Sequence, residues 1–419
     1  MQRLGSVSLL FAYLFVTETW AKEDQCLQRP PILDSQQSCP LAAPEKKWEF
    51  KDEKWDWKSK KPAAWDGPYD CINEYCTFVN PTLDGGMVLI SAERNIDVID
   101  RFSKKKLFKH DAPPYYATQI PGKGIGLVAN RTIEKGEIIM NTLPSLLVQF
   151  SPHLDLDGET RLELYKRAAK RLPPHKYEFF MRQYGPDEYT KIDRNSFRVF
   201  LTGDRNKFSG HLADYLEVAQ LNHDCRPNIH YRIDNITHIS HAVRPIQPGE
   251  ELTISYIDGH HPHAKRQQLL SNWGFKCDCP HCNMPRAEIA ASDARLGRIA
   301  AIEEDIKKML SGEREIDVQL GDELVGLYRD EKFEIYIGQA YARAALLHSL
   351  VGDVEGTEVL AGMAADALAV EFGEEHEDTR GMRLLAGDRE GHWSWDGVRR
   401  FEEMMREDGR DEDREDLKR

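Results

Sequence analysis

Leu221-Asn222-His223-Asp224-Cys225-Arg226-Pro227-Asn228 is the stretch on which the reading of this chain turns. It places hydrogen-bonding side chains, a soft metal ligand and a rigid turn former in one short loop. Three further blocks flank it. Pro121–Leu127 reads P-G-K-G-I-G-L upstream; Gly249–Tyr256 reads G-E-E-L-T-I-S-Y and Trp273–Cys282 reads W-G-F-K-C-D-C-P-H-C downstream. These blocks, in this order, carry the functional case.

The last block argues for a metal on its own terms. Cys277, Cys279 and Cys282 form C-x-C-x-x-C, three thiols within six residues. Cys225 becomes a fourth ligand if the octet folds back beside them. Four thiolates make a closed tetrahedral zinc site with no open position for catalysis, hence a structural one. Zinc is favoured over a disulfide because the C-x-C spacing gives poor disulfide geometry. His281 is a rival ligand, but Pro280 and Cys282 on either side give it an awkward reach.

The glycine block taken alone is a weaker signal. Glycines at alternating positions let backbone approach a ligand closely. The block lacks the helix-opening pattern of a dinucleotide fold, because Val128 onward leads to a turn at Glu134-Lys135-Gly136-Glu137. Read in isolation it is a hairpin turn.

Taken together, the blocks resemble those of SET-domain protein lysine methyltransferases. That family's patterns are a G-x-G loop, N-H-S-C-x-P-N, an E-E-L-x-I-S-Y strand and C-x-C-x-x-C after the core. All occur here in the family's order, over about Ile120 to Cys282. Asp224 stands where the family usually has Ser and is set aside as without consequence. The resemblance implies S-adenosylmethionine as methyl donor, with backbone around Lys123, Gly124, Ile125 and Gly126 at its amino-acid end. It places Asn222 and His223 against the donor, His223 largely through its backbone, and Phe275 on the adenine. Asn195 matches the asparagine of the family's N-S-F pattern. Tyr256 is the expected catalytic residue, also lining the donor site: a phenol at the end of a narrow channel can align the methyl group and favour the transition state. Cys225, Cys277, Cys279 and Cys282 are the implied zinc ligands.

The fold class expected is α+β: a β-rich SET domain with a helical insertion, a zinc-bound post-SET segment, and an α-helical TPR-like C-terminal domain. The divisions fall at 1–21 (secretory-signal-like), 22–112 (irregular, rich in Trp and Cys), 113–260 (SET, with the insertion at about 155–210), 261–286 (post-SET), 287–400 (helical) and 401–419 (charged tail). In the helical part, Y-A-R-A-A-L-L-H-S-L-V-G-D and A-D-A-L-A-V-E-F-G-E-E-H resemble the repeat tail of the SET-and-MYND branch. Their alanines suit close helix contacts. The insertion holds no cysteine, so the MYND finger of that branch is expected to be missing.

Composition narrows the partners. With 56 Lys and Arg against 70 Asp and Glu, the net charge is −14 and there is no basic block to hold a phosphate backbone. A lysine-bearing protein, histone or non-histone, is the expected substrate of a monomeric enzyme; nucleic acid and stable membrane insertion are not expected. Arg3, the apolar run Val7–Val16 and Thr19-Trp20-Ala21 have the parts of a secretory signal. In that setting Cys26, Cys39, Cys71 and Cys76 would form two disulfides, with three pairings open. Secretion conflicts with a donor found in nucleus and cytoplasm. Two other readings therefore stand beside the enzyme: a catalytically silent SET scaffold, and a secreted zinc-stabilised binding protein.

Overall fold

The structure, a computed structural model, describes residues 65–201, 209–400 and 403. The signal-like start, Cys26, Cys39, Trp48, Trp55, Trp57 and nearly all of the charged tail lie outside the described residues. The chain divides into two compact units.

The first unit takes the chain up to Lys106, Leu143–Ala219 and Asn235–Thr237. Its strands are β1 (Asp66–Ile72), β2 (Tyr75–Asn80), β3 (Met87–Ala92), β7 (Leu146–Gln149), β8 (Phe197–Phe200) and β9 (Gly210–Asp214). They form one sheet in the order β1-β2-β3-β7-β9-β8. The expected irregular region at 22–112 is therefore corrected over 66–103, where three strands are followed by helix α1 (Ile96–Ser103). The reason is burial: Met87–Ala92 is buried at every position, and an apolar run covered on both faces shows no alternation. Cys71 and Cys76 are disulfide-bonded across the β1–β2 hairpin.

Helices α2 (Ser151–Asp155), α3 (Gly158–Ala169), α4 (Pro174–Arg182) and α5 (Glu188–Asn195) lie between β7 and β8, so the helical stretch begins earlier than the expected 155–210 and gives way to strand β8 within it. Asp157 caps α3 by accepting from the amides of Glu159 and Thr160, and Asp187 caps α5 through Thr190. Pro173-Pro174 ends one helical run and opens the next, since proline suits a first turn but not an interior. Leu164, Tyr165, Ala168 and Ala169 pack with Val88, Ile90, Leu146 and Val148 into the core of this unit.

The second unit takes Leu107–Thr142, Gln220–Asp234 and the chain from His238 onward. Strands β4 (Tyr115–Ile120), β5 (Gly124–Ala129), β10 (Asn222–His223) and β13 (Glu251–Ile254) form a sheet in the order β10-β13-β5-β4. A second sheet runs β11-β12-β6, from Ile229–Asp234, Thr237–Ala242 and Ile138–Thr142. Helix α6 (His263–Leu270) follows the sheets, and then α7 (Arg286–Leu310), α8 (Val318–Asp330), α9 (Ile337–Leu350), α10 (Val354–Glu371) and α11 (Glu377–Gly387) complete a helical region. Small residues set its spacing. A Cβ on Gly321 of α8 would lie 3.0 Å from the backbone of Ala344 on α9, and one on Gly338 of α9 would lie 3.1 Å from Ala367 on α10. Among the described residues no helix is long and apolar enough to cross a membrane.

Candidate active site and cysteine cluster

The glycine block forms the β4–β5 hairpin. Pro121 and Gly122 occupy the centre of a turn closed by Lys123 N–H on Ile120 O at 3.1 Å. Gly122 has φ +76° and Gly124 φ +82°, which favour glycine. Gly126 is held for a different reason: a Cβ there would fall 2.6 Å from Asn222 Nδ2 and 2.6 Å from Ile120 Cγ1. Lys123 Nζ pairs with Glu251 Oε2 at 2.8 Å. Asn222 Nδ2 donates to Glu251 Oε1 at 2.9 Å and to Ile125 O at 3.3 Å. Burial alone lowers the Lys123 pKa, but the bond and charge of Glu251 outweigh it and the net shift is upward. One carboxylate thus ties the loop to the octet.

The octet is held against β13. Its first strand, β10, runs parallel to β13, with Asn222 beside Thr253 and His223 beside Ile254. Asn228 Oδ1 accepts from Thr253 N at 2.9 Å, and its Nδ2 donates to Glu251 O at 2.9 Å. The His223 ring accepts Tyr256 N–H at Nδ1, 3.0 Å, which leaves the proton of the neutral ring on Nε2, 3.3 Å from Cys225 Sγ. Burial holds this imidazole neutral, with its pKa pushed down to about 4. Asp224 is not the idle substitution it was taken for. Its N–H bonds Ile254 O at 3.0 Å, its carboxylate accepts from Arg226 N at 2.8 Å, and burial raises its pKa to about 7.

Tyr256 stands at the end of β13, where its hydroxyl donates to Leu221 O at 2.8 Å. Burial raises its pKa, so the phenol stays protonated. Its ring lies 5.6 Å from Trp273, 6.5 Å from Phe275 and 5.3 Å from His223, centroid to centroid. All of these aromatic side chains come from the octet, the strand end and the cysteine-bearing segment.

Cys225, Cys277, Cys279 and Cys282 are buried, unbridged, and have their Sγ atoms within 4.8 Å of one another. Four sulfurs at about 2.3 Å from a tetrahedral zinc would lie about 3.8 Å apart, so the donor set fits such an ion. Cys225 Sγ and Cys282 Sγ are 3.5 Å apart. Hydrogen bonds among the thiols hold Cys282 and Cys279 low, while they drive Cys225 up. Four adjacent thiolates repel one another, and a dication is what would hold them together. His281 turns away, bonding Ser292 Oγ at 3.3 Å, and is not part of the cluster. Tyr256, Ile257, Trp273 and Phe275 pack against these cysteines and Leu270.

Residues 124–257 match the family model described as SET domain. This stretch is a SET domain. Across its wider length the chain is 31% identical over 205 residues to "Histone-lysine N-methyltransferase set5" of Schizosaccharomyces pombe, covering 46% of this chain and 59% of that protein. It is 29% identical over 203 residues to "N-lysine methyltransferase SMYD2-B" of Danio rerio, covering 45% of each. The chain thus spans about half the length of the curated relatives it matches. Among solved structures it is similar to the methyltransferase domain of human histone-lysine N-methyltransferase SETMAR, at 21% identity and a TM-score of 0.21, covering 34% of this chain and 44% of that one.

The SET domain gathers Lys123, Gly124, Ile125, Gly126, Asn222, His223 and Tyr256 in the second unit, with Phe275 and the four cysteines beside them. Asn195 belongs to the first unit, where its side chain donates to Tyr184 O at 3.0 Å and Lys191 O at 2.7 Å. Sequence reasoning passed over Glu251, Asn228, Trp273 and Arg226. All of them sit inside the quoted blocks beside residues that were chosen, so position along the motif was the available signal.

Proposed function

We propose that the chain is an S-adenosylmethionine-dependent protein-lysine N-methyltransferase with its donor site between the glycine loop, the octet, Tyr256 and Phe275. The observation that carries this is the convergence, in one unit, of the Lys123–Glu251–Asn222 network and the anchored Tyr256 hydroxyl. When bound, S-adenosylmethionine supplies an activated methyl group for in-line displacement by a neutral lysine amine. Lys123, Gly124 and Ile125 hold its amino-acid end, with Gly126 keeping the loop close to Asn222. The Asn222 and His223 backbone and the Phe275 ring take the adenosyl end. Aromatic rings favour a sulfonium cation electrostatically. Tyr256, its hydroxyl fixed by Leu221 O, orients the reacting methyl, so its role is alignment with no proton to remove.

Cys225, Cys277, Cys279 and Cys282 hold a structural zinc that makes 261–286 a post-SET segment. Such an ion contributes on the order of 10 kcal/mol to folding a small module. The helical region is a TPR-like array that leans on the catalytic part and roofs the substrate cleft. The substrate is a lysine-bearing protein.

Two measurements test the reading. Titration of S-adenosylmethionine into the zinc-loaded chain is expected to show saturable binding; no binding leaves a silent scaffold. Incubation of histones and other basic proteins with labelled donor, followed by mass spectrometry, is expected to show methyl-lysine. A chain that binds donor and methylates nothing refutes the catalytic part alone.

A further inference from the structure

Arg226 lies in the octet between Cys225 and Pro227. Its side chain is only 7% exposed, and every nitrogen of the guanidinium is engaged. Nε donates to Glu331 O at 2.6 Å and Nη2 to Glu331 Oε2 at 2.6 Å. Nη1 donates to Cys225 O at 2.7 Å and to Gly259 O at 3.3 Å. The guanidinium carbon sits 4.1 Å from the Phe333 ring centroid. Glu331 follows α8 directly, and its side chain is fully buried. It accepts in addition from Ser292 Oγ at 2.9 Å and Arg295 Nε at 2.7 Å, both on α7.

Arg226 lies in the octet before Tyr256 and bonds Gly259 O three residues after Tyr256, so the guanidinium joins the two chain segments that flank it. The segment after Tyr256 is gripped a second time. Gly259 N donates to Tyr336 Oη at 3.4 Å, and the His260 ring lies 4.5 Å from Phe333 and 4.6 Å from Tyr336. A Cβ on Gly259 would meet Arg226 Nη1 and Phe333 Cε1 at 3.3 Å, so this packing is close. From the other side, β13 holds the octet through Asp224 N on Ile254 O. The octet main chain is therefore held from the sheet by β13 and from the helices through Arg226.

We infer that Arg226 and Glu331 are positioning residues for the methyl-donor site, through which the helical region sets the octet that carries Asn222 and His223. The inference rests on the donor reading given above. A buried charge pair of this kind is a poor way to gain stability, because desolvation offsets most of the attraction. Its value lies in direction: a planar fork with each donor committed permits one arrangement of Cys225 O, Gly259 O and the α8 end. A lysine keeps the charge but has no such fork.

The test compares the full chain with Arg226→Lys and with the double variant Arg226→Met/Glu331→Gln, which removes both charges together. Each is measured for zinc per chain, for S-adenosylmethionine Kd by calorimetry, and for donor KM and kcat. Arg226→Lys is expected to keep its zinc and raise donor Kd and KM by roughly tenfold, with kcat at saturating donor little changed. The double variant is expected to move the same way and further. Should the double variant not fold, Arg226→Lys decides alone. A zinc-loaded Arg226→Lys with the parent's donor Kd overturns the inference while leaving the methyltransferase reading in place. Loss of zinc together with donor binding overturns it too, assigning the pair to the metal cluster. Failure of the parent chain to bind donor removes the functional reading first and this inference with it.

Discussion

Gly126 shows how one missing carbon shapes the candidate site. A methyl group there would sit 2.6 Å from both Asn222 Nδ2 and Ile120 Cγ1, so Gly126→Ala must displace the Asn222 and Ile120 side chains and disturb the Asn222–Glu251 bond. Overpacking of this kind costs about 1–3 kcal/mol, enough to weaken donor binding roughly tenfold or more. Calorimetry on a folded Gly126→Ala variant checks this, and unchanged affinity would mean the loop does not meet the donor. Tyr256→Phe separates alignment from folding. It removes the hydroxyl bonded to Leu221 O, a loss of about 1 kcal/mol of stability. Turnover is expected to fall at least tenfold, on the scale of lost alignment in the transition state. Zinc content and donor affinity stay near the parent's, and an unaltered kcat removes Tyr256 from the chemistry. At this scale the sequence was most readable where spacing itself is the message, as in C-x-C-x-x-C and the tyrosine closing E-E-L-T-I-S-Y. Glu251 and Arg226 escaped because their meaning lies in partners 128 and 105 residues away along the chain. No local pattern announces such a contact.

Elements were legible where one face only is buried. Strands β4 and β6 and helices α3 and α4 fall where the sequence reading places a β-rich domain with a helical insertion. The strand β3 was missed because Met87–Ala92, buried throughout, has no period to detect. In the sheet it belongs to, His211 is buried on β9. Its Nδ1–H donates to Ser209 O at 3.0 Å, and Nε2 faces Ser91 Oγ at 3.0 Å. Burial lowers its pKa from 6.5 to about 4. A depressed folded-state pKa means that the unfolded chain takes up the proton first on acidification. The stability contributed by the neutral ring is therefore complete above about pH 6.5 and is lost as pH falls toward 4, at about 1.4 kcal/mol for each unit of depression. Denaturant midpoints between pH 7.5 and 4.5 should fall less steeply for His211→Gln than for the parent chain. Parallel slopes would show that His211 is not buried neutral.

For the molecule as a whole, the helical region and the SET domain's octet meet in a buried charge cluster. Removing Glu331 leaves Arg226 with no counter-charge at a site 7% exposed, so Glu331→Ala should destabilise by about 3–5 kcal/mol in urea unfolding, and a shift below about 1 kcal/mol would contradict this burial. The central claim is that a thiolate-bound ion fixes the segment bearing Phe275 beside the octet bearing Asn222, and that this arrangement makes the methyl-donor site. Titrating S-adenosylmethionine into the full chain carrying one zinc, and again after the metal is chelated, tests it most directly. The account predicts saturable binding at one donor per chain in the first case and its loss in the second; equal affinity with and without the metal, or no binding while zinc is in place, would contradict it.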